Sequence, residues 1–93
     1  MNQDMHLCIL IFSGLKCVDG INELNSEVEC DDMGGAGFCA KVTYKSVKTT
    51  ARTCAIPLVI NKYGLTGPGC KDVIELGIEA KIRLCEGDLC NAD

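Results

Sequence analysis

Cys85-Glu86-Gly87-Asp88-Leu89-Cys90-Asn91 stands near the end of the sequence: two cysteines enclose four residues, and an asparagine follows the second directly. Six further cysteines, Cys8, Cys17, Cys30, Cys39, Cys54 and Cys70, precede it in a chain of 93 residues with one histidine and a formal net charge of −4. A chain this short forms one domain and hides only about 60% of the surface its unfolded form exposes. Beyond Phe12 the aromatic residues are Phe38, Tyr44 and Tyr63 alone. The cysteines therefore read as covalent replacements for a missing core, which places the chain in an oxidising, extracellular compartment. The expected class is a small disulfide-rich all-β domain, secreted, acting by binding rather than by catalysis.

Leu7-Cys8-Ile9-Leu10-Ile11-Phe12 is a short apolar run ending in the small residues Ser13 and Gly14. It reads as a secretory leader over 1–14, with the domain over 15–93. Against a leader, the segment before it carries Asp4 and no Lys or Arg, and the alternative is an N-terminal strand packed into the fold. No run approaches the ~20 apolar residues of a membrane span, so no transmembrane segment is expected. A lipid-anchor signal and an Asn-x-Ser/Thr acceptor are likewise not expected.

Charge is unevenly spread. From Leu15 to Phe38 one base, Lys16, faces six acids: Asp19, Glu23, Glu27, Glu29, Asp31 and Asp32. From Cys39 to Cys54 there are four bases, Lys41, Lys45, Lys48 and Arg52, and no acid. A basic segment between acidic ones is either a domain pairing its own charges or a basic loop offered to an acidic partner. With a pI near 4.8 and only Tyr44 available to stack on a base, nucleic acid is not the expected partner.

The local pattern is strand throughout. From Ile74 to Leu84, Ile74, Leu76, Ile78, Ala80, Ile82 and Leu84 alternate without a miss with Glu75, Gly77, Glu79, Lys81 and Arg83. That is a period of two, with one face buried and one wet. Lys41-Val42-Thr43-Tyr44 and Thr49-Thr50-Ala51-Arg52-Thr53 are rich in β-branched residues and flank Lys45-Ser46-Val47-Lys48, which predicts a hairpin with that tetrapeptide at its tip. A second hairpin is expected between Cys17 and Cys30, turning near Gly20 to Ser26. Asp31 to Gly37 and Gly64 to Gly69 read as loops.

Three parts of the chain carry a resemblance: Leu15-Lys16-Cys17, Gly37-Phe38-Cys39-Ala40-Lys41-Val42, and the closing Cys85-to-Asn91 motif. Together they resemble the three-finger superfamily of snake neurotoxins, lymphocyte-antigen and urokinase-receptor (LU) domains, and nematode ET modules. The likeness spans Leu15 to Asn91, and the opening Lys-Cys-Val-Asp-Gly leans toward the ET type. The resemblance implies antiparallel hairpins projecting from a palm knotted by disulfides. It also implies a role for Asn91: its amide, donor and acceptor at once, bonds to backbone near the first cysteine and ties the chain end to the palm.

Spacing alone leaves many cystine pairings open. The resemblance implies Cys17 with Cys39, Cys30 with Cys54, and Cys85 with Cys90. The chain departs from many LU members in having Gly20 and Leu84 where they have cysteines, and the second departure leaves Cys70 without its usual partner. Without Cys8 the domain holds an odd number of cysteines. Cys70 is then a free thiol or an intermolecular bridge, or, if no leader is cut, the partner of Cys8.

No Cys-x-x-Cys pair exists to hold zinc, so neither metal nor cofactor is expected. Nucleophilic catalysis needs a base, and His6, the one histidine, falls in the leader. The neighbouring carboxylates Glu27 with Glu29 and Asp31 with Asp32 read as solvated surface rather than acid–base pairs. Two functions follow. The first is a recognition module whose loop tips engage an extracellular protein, a receptor, channel or adhesion partner, with Tyr44, Lys45, Val47 and Lys48 as contacts. The second is a structural or defensive secreted polypeptide, cross-linked through Cys70 as a covalent dimer or multimer.

Overall fold

A computed structural model describes residues 14–33 and 37–93; the leader read over 1–14, with His6 and Cys8, lies outside them apart from Gly14. Six strands, β1 (Lys16–Ile21), β2 (Leu24–Glu29), β3 (Phe38–Tyr44), β4 (Thr49–Ala55), β5 (Gly69–Glu75) and β6 (Ile78–Cys85), form one antiparallel sheet. Their order is β2-β1-β4-β3-β6-β5. Consecutive strands pair as three hairpins. The second and third are joined along β3 and β6 from Cys39↔Cys85 to Tyr44↔Ala80. The first is joined far less: β1 meets β4 only at Gly20↔Arg52 and Ile21↔Ala51.

The middle hairpin turns at 45–48, as its composition predicts. The first turns at Asn22-Glu23, with Asn22 at φ 54, a left-handed conformation that asparagine tolerates better than most residues. Asn22 also pins this turn to the next hairpin. Its N–H donates to the Thr50 carbonyl at 2.8 Å and its Oδ1 accepts from the Thr50 N–H at 2.9 Å. Gly20 in β1 has no room for a side chain, since a Cβ there would stand 1.9 Å from the Leu24 carbonyl oxygen.

Two expectations are corrected. The unbroken alternation from Ile74 to Leu84 is two strands, divided at Leu76-Gly77. Glu75 pairs with Ile78 and Ile74 with Glu79, so the two-residue turn moves the even-numbered apolar residues to the opposite face. Ile82 and Leu84 are buried with Ala80, whereas Ile74 looks into solvent. The second correction is a short helix, α1 (Pro57–Lys62), in a chain that reads as strand throughout. Its β-branched residues argue for a strand; Pro57, at the start of the helix, suits a first helical turn. α1 survives by packing, because Ile60 and Leu65 lie with Phe38 against the buried Ala40, Ala55 and Leu84. A 3-10 turn, Cys30–Met33, begins the loop expected over Asp31 to Gly37.

The other core cluster is sulfur. Cys17, Cys30, Cys39 and Cys54 are buried, with Leu15, Val28, Cys85 and Cys90 packed around them. Among the described residues there are three disulfides, Cys17–Cys39, Cys30–Cys54 and Cys85–Cys90, the pairs that the resemblance implies. The first two lie in contact, with Cys30 Sγ 3.0 Å from Cys17 Sγ. In the loop-entropy account, bridges spanning 22 and 24 residues stabilise by about 3 kcal/mol each. That is comparable with burying a large aliphatic side chain, about 1.5–3 kcal/mol, and the apolar core here is mostly alanine.

Candidate recognition surface

The palm positions everything beyond it, and Asn91 closes the palm. It is the one buried polar side chain among the described residues. Its Oδ1 accepts from the Val18 N–H at 2.9 Å, and its Nδ2 donates to the carbonyls of Val18 at 3.0 Å, Ala40 at 2.9 Å and, more weakly, Thr53 at 3.4 Å. The amide thus stands in for a peptide group where β1 and β4 have parted, and links β1, β3 and β4. The loop closed by Cys85–Cys90 docks in the same way on Lys16. The Leu89 N–H donates to the Lys16 carbonyl at 2.7 Å, and the Asp88 carboxylate accepts from the Lys16 N–H at 3.0 Å.

Away from the palm, register sets the heights of the hairpin tips. The first tip lies level with Thr50 through Asn22, whereas the Lys45 N–H donates to the Glu79 carbonyl at 2.9 Å and brings the second and third tips level with each other. The middle tip runs several residues past Thr50, so the first is set back by roughly 10 Å at ~3.3 Å per residue.

Of the four contacts expected at the middle tip, Tyr44 is half-buried at the end of β3, and Lys48 is exposed. Val47 is 45% exposed. Lys45 leans toward the third hairpin, where its Nζ lies 3.1 Å from Asp72. Side chains of both hairpins line the shallow groove between them: Lys45, Asp72, Val73, Ile74 and Glu79.

Apart from Leu58 on α1, which is 74% exposed, the larger apolar exposures lie on the other two tips. Leu24 is 85% and Ile21 56% exposed at the first; Leu76 is 86% and Ile74 70% exposed at the third. Leu76 is doubly disfavoured where it stands. Besides its exposure it has φ 53, and with Gly77 at φ 79 it forms the type of two-residue turn in which asparagine is preferred at the first position. Reading the sequence alone missed this pair of residues, because they fit the alternation of a continuous strand. The signal available was Gly77, where an uninterrupted strand gains nothing from glycine.

A second polar cluster fastens α1 to β5. The Tyr63 hydroxyl and the Lys62 ammonium both donate to Glu75 Oε1, and Lys71 Nζ donates to the Tyr63 carbonyl at 2.6 Å. The Tyr63 hydroxyl, and after it Lys62, holds the Glu75 carboxyl below the usual carboxylate range. Glu75 in turn raises Lys62, while burial leads in raising Tyr63.

Cys70 is a free, exposed thiol on edge strand β5. The sulfurs of Cys17, Cys30 and Cys54 lie within 4.8 Å of one another, but all three are in disulfides and offer no thiolate. Glu27, Glu29 and Asp31 are exposed at the rim of the first hairpin. Among the described residues no helix is long and apolar enough to cross a membrane. Comparison with known proteins finds no matching family, no matching characterised protein and no matching solved structure.

Proposed function

We propose that this chain is a secreted, non-enzymatic recognition module of the three-finger kind, closest in pattern to the ET type, which binds an extracellular protein through its hairpin tips. The observation that carries the reading is the placement of aliphatic side chains. The sheet buries mainly alanine and cystine, while Leu24, Leu76 and Ile74 stand in water at the ends of rigid hairpins. Each would yield about 1.5–3 kcal/mol if fully covered by a partner, and cross-linked hairpins lose little freedom on binding. The oxidised palm supports an extracellular setting.

The test is binding of the labelled, natively oxidised protein to cells of its source. Saturable binding, reduced by Leu76→Asn and by Lys45→Glu, is the expected result. Binding that does not saturate would overturn the reading. The exposed thiol of Cys70 favours a second reading, a structural polypeptide cross-linked between chains. Electrophoresis of secreted material without reductant separates the two: a monomer supports recognition, a covalent ladder supports the structural role.

A further inference from the structure

Four cations gather on one face of the central sheet. Register sets Lys41 of β3 directly beside Arg52 of β4 and Arg83 of β6, with Cys70 of β5 beyond Arg83. Lys81, the next residue of β6 on this face, stands opposite Thr43. Like charges directly opposite on adjacent strands repel. Among the described residues, the carboxylate that reaches the row is that of Asp93. Its Oδ1 accepts from Arg83 Nη2 at 2.6 Å, while its backbone oxygen accepts from Lys41 Nζ at 2.7 Å and Arg52 Nη2 at 2.9 Å. Asp72, which pairs in register with Lys81, gives its carboxylate to Lys45 instead. Residue 93 thus serves three of the four cations, its carboxylate reaching Arg83 and its backbone oxygen Lys41 and Arg52, and leaves Lys81 without it, on a chain whose formal net charge is −4.

Lys41, Thr43, Cys70, Lys81 and Arg83 line an open cavity of about 150 Å³ on the surface. At ~30 Å³ per water it holds a small polyatomic ion. Its walls are two ammoniums, a guanidinium, a hydroxyl and a thiol, with no carboxylate among them. Lys81 makes no ion pair among the described residues. The Arg83 Nε–H is buried and has no acceptor, although the other end of the guanidinium is taken by Asp93 and the Cys90 carbonyl. A buried donor left unmatched is costly. A cavity of donors beside it lacks one thing, an acceptor with negative charge on several oxygens.

We propose that this cavity binds a tetrahedral oxyanion, a sulfate or phosphate group. Lys41, Lys81 and Arg83 supply the charge and Thr43 a hydroxyl donor. The site lies across β3, β5 and β6 and does not depend on the role of the aliphatic tips.

The test is a backbone-amide NMR titration of the oxidised protein with sodium sulfate, sodium phosphate and a sulfated disaccharide, each at ionic strength held constant with chloride. Saturable shifts centred on Lys41, Thr43, Cys70, Lys81 and Arg83 are expected, with Lys81→Ala weakening affinity about tenfold, as loss of a charge-assisted hydrogen bond implies. Saturation by sulfate and the sulfated sugar but not phosphate assigns a sulfate ester; the reverse assigns a phosphate. Shifts no different from those in chloride, shifts spread over every lysine, or equal affinity in wild type and in both Lys81→Ala and Thr43→Val overturn the proposal.

Discussion

Val18 and Asn91, 73 positions apart, exchange two hydrogen bonds: the Val18 N–H donates to Asn91 Oδ1 at 2.9 Å, and Asn91 Nδ2 donates back to the Val18 carbonyl at 3.0 Å. A side-chain amide here occupies the place of a neighbouring strand. Asn91→Ala strips partners from buried backbone groups of β1 and β3 and is expected to destabilise by about 3 kcal/mol or more. Asn91→Asp is the sharper probe, because a carboxylate oxygen replaces Nδ2 in front of the Val18 and Ala40 carbonyls. Its folded-state pKa must rise, so the variant is most stable below about pH 4 and loses that stability as pH rises through the raised value. Thermal melts of the variant from pH 3 to 8 check the sign; a pH-independent deficit would contradict it.

Leu76 sits at φ 53 in the third turn with its side chain in water. Leu76→Asn is expected to raise stability by about 1 kcal/mol, since asparagine adopts this conformation at lower cost. Chemical denaturation of the two proteins decides it. Unchanged or lower stability would mean that the leucine is held by contacts at the tip rather than tolerated there.

The cluster fastening α1 to β5 predicts the pH limits of that contact. Glu75 is depressed by the Tyr63 hydroxyl first and Lys62 second, and Asp93 by Arg83. Depressed carboxyls contribute stability that is present above their unfolded pKa and lost as pH falls through the folded one, below about pH 4. Lys62, raised chiefly by Glu75, contributes below its unfolded pKa and loses that contribution as pH climbs through the raised value. Stability should therefore be flat from about pH 5 to 9 and fall on both sides. Glu75→Gln should flatten part of the acid limb, as read from urea midpoints across pH.

Removing the Cys30–Cys54 bridge by paired alanine substitution should cost about 3 kcal/mol, and removing the 5-residue Cys85–Cys90 bridge about 2 kcal/mol. Full reduction should unfold the sheet, since few large side chains besides Ile82 and Leu84 are buried in it. Far-ultraviolet circular dichroism with and without reductant measures this. A native spectrum in the reduced state would show that the apolar contacts of the sheet suffice.

How much could be read in advance depended on whether the signal was local. Thr49 to Thr53 and Lys41 to Tyr44 announced their hairpin because β-branching and turn composition act within a few residues. Ile78 to Leu84 announced a half-buried strand for the same reason. Leu76-Gly77 hid inside that alternation, since a two-residue turn flips the face without interrupting the pattern. α1 hid because Val59 and Ile60 carry a strand preference that packing on Ala40 and Leu84 overrides. The row of Arg52, Lys41 and Arg83 was invisible: it exists only once β4, β3 and β6 are in register, and nothing within any one strand encodes its neighbour.

Apart from the Cys17–Cys39 and Cys30–Cys54 bridges at its base, the first hairpin is held to the rest of the molecule by two register pairs, the Asn22–Thr50 clasp, the Thr53–Asp19 hydrogen bond and the contacts of residues 88, 89 and 91. During synthesis the second and third hairpins can associate as soon as β6 leaves the ribosome, but the first gains its last anchor six residues later. Full docking of the N-terminal hairpin is therefore a late event in biogenesis. Until then the Val18 N–H and carbonyl, which Asn91 satisfies in the finished fold, stay open to water or to another chain.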